Sequence, residues 1–215
     1  MTNDNRQPAG SLVGGEFATK NRAEADIALG GSPDITPLAP LRLNHHTRSL
    51  EHFTGDNRRD RFIMNQPYQR GSVWDETRRR NLIKSLLLGL PIGAIVTNDR
   101  GYQADNAPDT AIIDGKQRVE ALWAFVDSEL PIPAGWLDAR FVEATEPMNF
   151  EGHTIDGVRF RDTSLPFQRK FTNCPISALE AQLPGERDEA EVFVLINAGG
   201  IAQDEETIQK ARELS

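Results

Sequence analysis

Apolar residues in this chain gather into short clusters whose spacing changes along its length. Leu82, Ile83, Leu86, Leu87 and Leu90 fall at the i, i+1, i+4, i+5, i+8 positions of one helix face, with Arg78, Arg79 and Lys84 opposite. Ser72 and Asp75 form an S-x-x-D capping pattern ahead of that face. Gly89 ends it and Pro91 blocks continuation, so the spacing predicts a helix to about Leu88. Val119, Leu122, Trp123 and Val126 repeat the single-face spacing and predict a helix over 116–127. Ala111, Ile112 and Ile113 make a short, wholly apolar strand that runs straight into Asp114-Gly115. Residues 61–65 and 92–97 are further strand candidates, the first stopped by Pro67, and 46–53 reads as a short helix. Beyond Pro133 the pattern predicts strands at 136–142 and 172–176, with a hairpin over 152–157 between them. A helix over 189–196, a turn over 197–200 and a last helix over 205–214 follow. Helices and strands mix without a strict βαβ repeat, so the expected class is α+β, a small mixed sheet flanked by helices.

Residues 1–40 hold five Gly and four Pro, with Phe17 as their only aromatic. Such a segment buries too little apolar surface to offset the entropy of ordering it. The expected organisation is a flexible N-terminal arm over 1–43, with a short docked element at 27–29, and one folded domain over 44–215.

Composition narrows the picture. Hydrophobic residues are 38% of the 215 and charged residues 26%, enough for a lean core. The longest apolar stretch, 86–96, is broken by Gly89, Pro91 and Gly93, whereas a membrane-spanning helix needs about 20 apolar residues. The polar N-terminus has no signal-peptide core. The single cysteine, Cys174, allows no intrachain disulfide and no Cys-based zinc cage, and reads as a packing residue. His45, His46, His52 and His153 show no metal-ligand spacing, and the first two are expected in solvent. A soluble cytoplasmic protein without a membrane partner is expected.

The net charge of -8 hides an asymmetry. Residues 57–84 carry eight bases (Arg58, Arg59, Arg61, Arg70, Arg78, Arg79, Arg80, Lys84) against Asp60, Asp75 and Glu76. Residues 180–206 carry eight acids against Arg187. Two readings fit: a local anion-binding segment inside an acidic protein, or two solvated faces.

The chemistry concentrates at Asp114-Gly115-Lys116-Gln117-Arg118. A buried strand ends, glycine permits a tight turn, and a helix begins. The first amides of a helix lack internal partners and sit in positive potential, so they hold anions. Two cations in that first turn are locally unfavourable unless an anion is expected, and Gly115 lets a phosphate approach the backbone. The structural alternative is a D-x-x-Q capping box of Asp114 and Gln117, with Lys116 and Arg118 in solvent. No Walker loop occurs in the chain.

Four segments, in order, resemble one family. They are Pro67-Tyr68-Gln69-Arg70-Gly71-Ser72-Val73-Trp74, the run from Asn81 to Gly93, Ile113-Asp114-Gly115-Lys116-Gln117-Arg118-Val119, and Phe193-Val194-Leu195-Ile196-Asn197-Ala198-Gly199-Gly200. Together they resemble the domain named for its DGQQR motif, the N-terminal half of GmrSD-type modification-dependent restriction enzymes, over about 45–215. The resemblance implies a ParB/sulfiredoxin-like fold that binds, and in characterised members hydrolyses, nucleoside triphosphates. It implies that the DGQQR segment contacts the phosphates and that the Tyr-Gln-Arg loop sits in the same cleft; on that frame Asp114, Gln117 and Arg118 are the expected catalytic residues, and Tyr68, Gln69, Arg70, Gly115, Lys116 and Asn197 the expected nucleotide-binding residues. A carboxylate beside phosphates is costly unless a cation intervenes, so Asp114 is expected to hold Mg²⁺ that accompanies the nucleotide or to position water, or else to serve only as the N-cap. Lys116 stands where the family commonly has Gln; lysine still suits a phosphate. Gly115, Arg118 and Ala121 also match the ParB frame G-E-R-R-x-x-A. Lys116 replaces the sulfiredoxin cysteine, which excludes sulfiredoxin chemistry. No His-rich nuclease motif follows Gly200. The expectation is therefore a sensor or regulator of a restriction or phage-defence system that relies on a separate nuclease chain. The alternative is a non-hydrolysing module that binds DNA through the 58–80 basic stretch, or binds a protein partner.

Overall fold

A computed structural model of the chain describes residues 41–69, 74–101 and 108–198. The arm expected over 1–43 lies outside the described residues except for its last three. Arg70, Ser72, Gly199, Gly200 and the helix expected over 205–214 also lie outside them.

The chain opens with β1 (Leu43–Ser49), α1 (Glu51–Thr54), α2 (Asp56–Arg59) and β2 (Phe62–Ile63), then α3 (Glu76–Leu87). The centre is β3 (Ile95–Asp99), β4 (Thr110–Asp114) and α4 (Lys116–Val126). β5 (Ile132–Pro133), β6 (Glu146–Phe150) and β7 (His153–Val158) follow, then α5 (Leu165–Thr172), β8 (Pro175–Ala181) and α6 (Glu186–Ala198). The main sheet has five strands in the order β1-β8-β3-β4-β2, and β5-β7-β6 form a second, three-stranded sheet. In the main sheet β8 runs parallel to β3 and antiparallel to β1, β3 is antiparallel to β4, and β2 is parallel to β4. The class is α+β, with a mixed sheet flanked by helices.

The central strands are covered on both faces, which is why β4 reads as an unbroken apolar run rather than an alternating one. Ile112 packs with Ile95, Ile176 and Ala178 into the main core, together with Leu82 and Ile83 of α3 and Val119, Leu122 and Phe125 of α4. Ile113 and Val96 face the other way and meet Val192 of α6, with Leu179, Leu183 and Phe193 around them. The strand into the DGKQR turn is thereby fixed between two apolar layers.

Helix α3 ends as its sequence predicts. Gly89 takes φ +73°, its N–H bonds Leu86 O at 3.0 Å, and the Leu90 N–H bonds Ser85 O at 2.8 Å. These are the paired bonds of a Schellman cap. The predicted hairpin turns at Glu151 and Gly152, both with positive φ, between the paired residues Phe150 and His153.

Four elements differ from the reading of the sequence. The strand expected over 136–142 is instead two 3-10 turns, Ala134–Trp136 and Ala139–Phe141, the second capped by the Asp138 side chain on the Arg140 N–H. The helix expected over 46–53 is strand β1 as far as Ser49, and only Glu51–Thr54 is helical. Period two wins there because His46 and Arg48 both reach Glu180 across the β1–β8 pair. The strand expected over 92–97 begins at Ile95, delayed by Gly93 at φ +81°. Helix α5 precedes β8 where only a strand was expected. Pro166 opens it, and Phe167 and Phe171 stack one turn apart with ring centroids at 5.9 Å.

Candidate functional site

Strand β4 delivers Asp114 to the edge of the core, and Gly115 turns the chain at φ +98° to start α4. Gly115, not Asp114, occupies the N-cap position, and no side chain caps the helix. The D-x-x-Q capping box is therefore not formed. The Asp114 carboxylate instead accepts a hydrogen bond from Arg118 Nη2, one turn into α4. Arg118 Nη2 also donates to Ala94 O at 3.0 Å, which seats the guanidinium over the Gly93–Ile95 segment. Arg118 Nε is buried without a hydrogen-bond partner. A Cβ on Gly115 would stand 3.2 Å from Arg118 Nε and Nη2 and 3.3 Å from Ile95 Cα. Glycine is needed there both for its φ and for the close approach of Arg118.

Lys116 does not reach toward the helix mouth. Its side chain is 10% exposed, and Nζ donates to Asn65 Oδ1 at 2.8 Å, with Glu120 4.0 Å away. Gln117 turns toward Trp74, whose backbone N–H donates to Gln117 Oε1 at 3.1 Å. Gln69 donates through Nε2 to the carbonyls of Ile112 (2.6 Å) and Ile113 (2.8 Å), and its Oε1 is buried without a partner. Three side chains thus tie Asn65, Gln69 and Trp74 to the strand and turn that carry Asp114. Trp74 packs against the core, as its sequence position suggests.

Tyr68 faces α6. Its ring meets Phe193 at 5.5 Å between centroids, and its hydroxyl donates to Glu189 Oε2 at 3.1 Å. Burial and the neighbouring Glu189 carboxylate push the phenol well above its ordinary pKa. Asn197, expected in a turn, lies instead in α6, exposed, with its amide on Phe193 O at 2.8 Å. The structure thus brings Gln69, Asp114, Gly115, Gln117 and Arg118 together around one turn. Tyr68 is set one step outward, and Asn197 sits on the exposed part of α6.

The sequence reading missed a charged hub formed by α6, β3 and Tyr68. Glu189 is fully buried. Its carboxylate accepts from Arg100 Nε (2.8 Å) and Nη2 (2.6 Å), from Asn98 Nδ2 (2.8 Å) and from Tyr68. Arg100 Nη2 also reaches Gln66 Oε1 at 3.1 Å. Burial alone would raise the Glu189 carboxyl; the bonds from Arg100, Asn98 and Tyr68 outweigh it and hold the group below the usual range. One signal was available: Glu189 shares the 189, 192, 193 stripe with two core residues, a carboxylate where an apolar side chain belongs.

The basic stretch is not gathered on one face. Arg59 pairs with Asp127 at 2.6 Å and lies over Trp123. Arg61 pairs with Asp109 at 2.5 Å, and Arg80, 6% exposed, bonds Glu76 and Pro131 O. Arg78 and Lys84 lie over Trp74 and Trp136. Among the described residues no group of three or more His, Cys, Asp or Glu side chains is placed to hold a metal, and no helix is long and apolar enough to cross a membrane.

Compared with known proteins, the chain matches the family model described as GmrSD restriction endonuclease, N-terminal domain, over residues 50–212. No curated protein and no solved structure matches it.

Proposed function

We propose that this chain, which belongs to the GmrSD restriction endonuclease N-terminal domain family, binds a nucleoside triphosphate at the DGKQR turn and hydrolyses it slowly, as the sensing or regulatory part of a DNA restriction system. One observation carries the reading: beside a helix mouth with no side-chain cap, Arg118 already pairs with an anion, the Asp114 carboxylate, while its Nε is buried and unpartnered. The α4 amides and the Arg118 fork form a fixed array of donors for a phosphoryl group, which takes the place of the carboxylate on Arg118. Such an array stabilises the charge that builds on the phosphoryl oxygens during transfer to water.

The neighbouring side chains take roles that follow from what holds them. Gln69 is anchored by its amide nitrogen on the Ile112 and Ile113 carbonyls and so holds the end of the strand that carries Asp114. Lys116 and Gln117 secure the walls of the turn through Asn65 and Trp74. Asp114 is the carboxylate at this turn and would hold a magnesium ion brought in with the nucleotide, which would there offset charge on the phosphate oxygens.

The test is phosphate release from ATP, GTP, CTP and UTP with magnesium, with and without DNA. Release lowered about a hundredfold in Arg118→Ala, with the circular dichroism spectrum unchanged, supports the reading. Release from none of the four, with no thermal shift on adding them, overturns it.

A further inference from the structure

A second cleft opens at the opposite end of the main sheet from the DGKQR turn. It is lined by Arg48, His52, Arg58, Arg61, Thr97 and Thr110, with Phe62, Asp99 and Glu180 completing the wall. Thr110 begins β4 and Asp114 ends it, so the cleft lies about 13 Å along that strand from the turn, at roughly 3.3 Å per residue. Its volume is about 140 Å³, too small for a nucleotide, whose sites run to roughly 300 Å³ and more, but sufficient for one tetrahedral oxyanion.

Two of the three arginines are held before any ligand arrives. Arg48 is fixed by two hydrogen bonds to Glu180 Oε1 at 2.9 and 2.7 Å, and Arg61 by Nη2 on Asp109 at 2.5 Å. Arg58 is exposed and has no ion-pair partner among the described residues. Asp99 is exposed and spends a carboxylate oxygen on the Gly101 N–H at 2.9 Å. Thr97 and Thr110 place side chains on the cleft wall where the sheet would otherwise present apolar groups. Three guanidinium groups and Thr97 around a volume of this size, with the Thr110 hydroxyl spent on Asp109 Oδ1 at 2.8 Å, suit a dianion with three oxygens better than a planar carboxylate.

We propose that this cleft is a binding site for a single phosphoryl group, separate from the DGKQR turn, with Arg58 as its principal ligand. The local field agrees with that assignment. At half-buried His52, burial together with Arg58, Arg48 and Arg61 outweighs Glu180 and holds the imidazole pKa down to about 4. An entering dianion would reverse that field, so His52 is a built-in reporter.

The experiment is a titration of the whole chain with inorganic phosphate at pH 7, followed by the His52 ring resonances. Saturable shifts at His52, with its pKa moved up by at least one unit in bound protein, are expected. Arg58→Ala should weaken binding at least tenfold with an unchanged circular dichroism spectrum, while Arg118→Ala should leave it as in the wild type. A dinucleotide tested with and without a 5′-phosphate separates a nucleic-acid end from the free ion; binding of either through its phosphoryl group supports the site. No saturable shift, equal binding by Arg58→Ala, or acetate binding as tightly as phosphate overturns the proposal.

Discussion

Tyr68 donates its hydroxyl hydrogen to Glu189 Oε2 at 3.1 Å, joining the loop beside the DGKQR turn to a helix 121 residues later in the chain. The bond matters because Glu189 is fully buried and also carries Arg100 and Asn98. Tyr68→Phe keeps the ring against Phe193 and removes one bond to a charged acceptor, so unfolding in urea should show a loss of about 1–2 kcal/mol. Glu189→Ala leaves a guanidinium and an amide facing an emptied site and should cost about 3–5 kcal/mol. Equal losses in the two variants would contradict the hub.

Two glycines with similar backbone angles should respond differently to alanine. Gly89 has φ +73° and nothing within 4 Å of a built Cβ, so Gly89→Ala meets only the conformational cost, about 1 kcal/mol. Gly115 has φ +98° and would press its Cβ on Arg118 and on the Ile95 backbone. Gly115→Ala should therefore cost about 2 kcal/mol or more, and should weaken triphosphate binding by displacing the guanidinium. Thermal unfolding of the pair decides this.

Much of this architecture was legible because it depends on local rules. The α3 face with its Gly89 and Pro91 stop, the buried β4 run and the start of α4 at Lys116 all follow from spacing and turn chemistry. What was not legible depends on partners distant in sequence. Residues 46–49 form a strand only because β8 lies beside them, and Trp136 and Phe141 face the core from 3-10 turns that no alternation announces. At the turn itself, the sequence singled out Asp114, Gly115 and Arg118, which the fold brings together. It did not foresee that Lys116 turns inward to Asn65, because nothing near residue 116 names a partner 51 residues earlier.

Acidification should weaken the fold through His52. Its pKa is about 4 in the folded chain and 6.5 as an ordinary histidine, so the unfolded chain binds the proton more readily between those values. This contribution is fully present above about pH 6.5 and is lost as the pH falls toward 4. Solvent screening at a half-buried ring reduces it to about 1–2 kcal/mol. Chemical denaturation at pH 7.5 and 4.5 should show a smaller difference for His52→Phe than for the wild type.

Asp114 occupies Arg118 as an internal anion, so it competes with an incoming phosphate when magnesium is absent. In chelator, Asp114→Asn should bind a triphosphate several-fold more tightly than the wild type, and with magnesium it should release phosphate more slowly. Calorimetry and phosphate release read the two arms, and unchanged values in both would remove Asp114 from the site.

The most direct measurement is equilibrium binding of a slowly hydrolysed nucleoside triphosphate analogue to the wild type and to Arg118→Ala, with circular dichroism on both. Saturable binding that falls at least about tenfold in the variant is expected, the loss of one charge-assisted phosphate contact. Equal affinity in two equally folded proteins, or no binding to either, would contradict it.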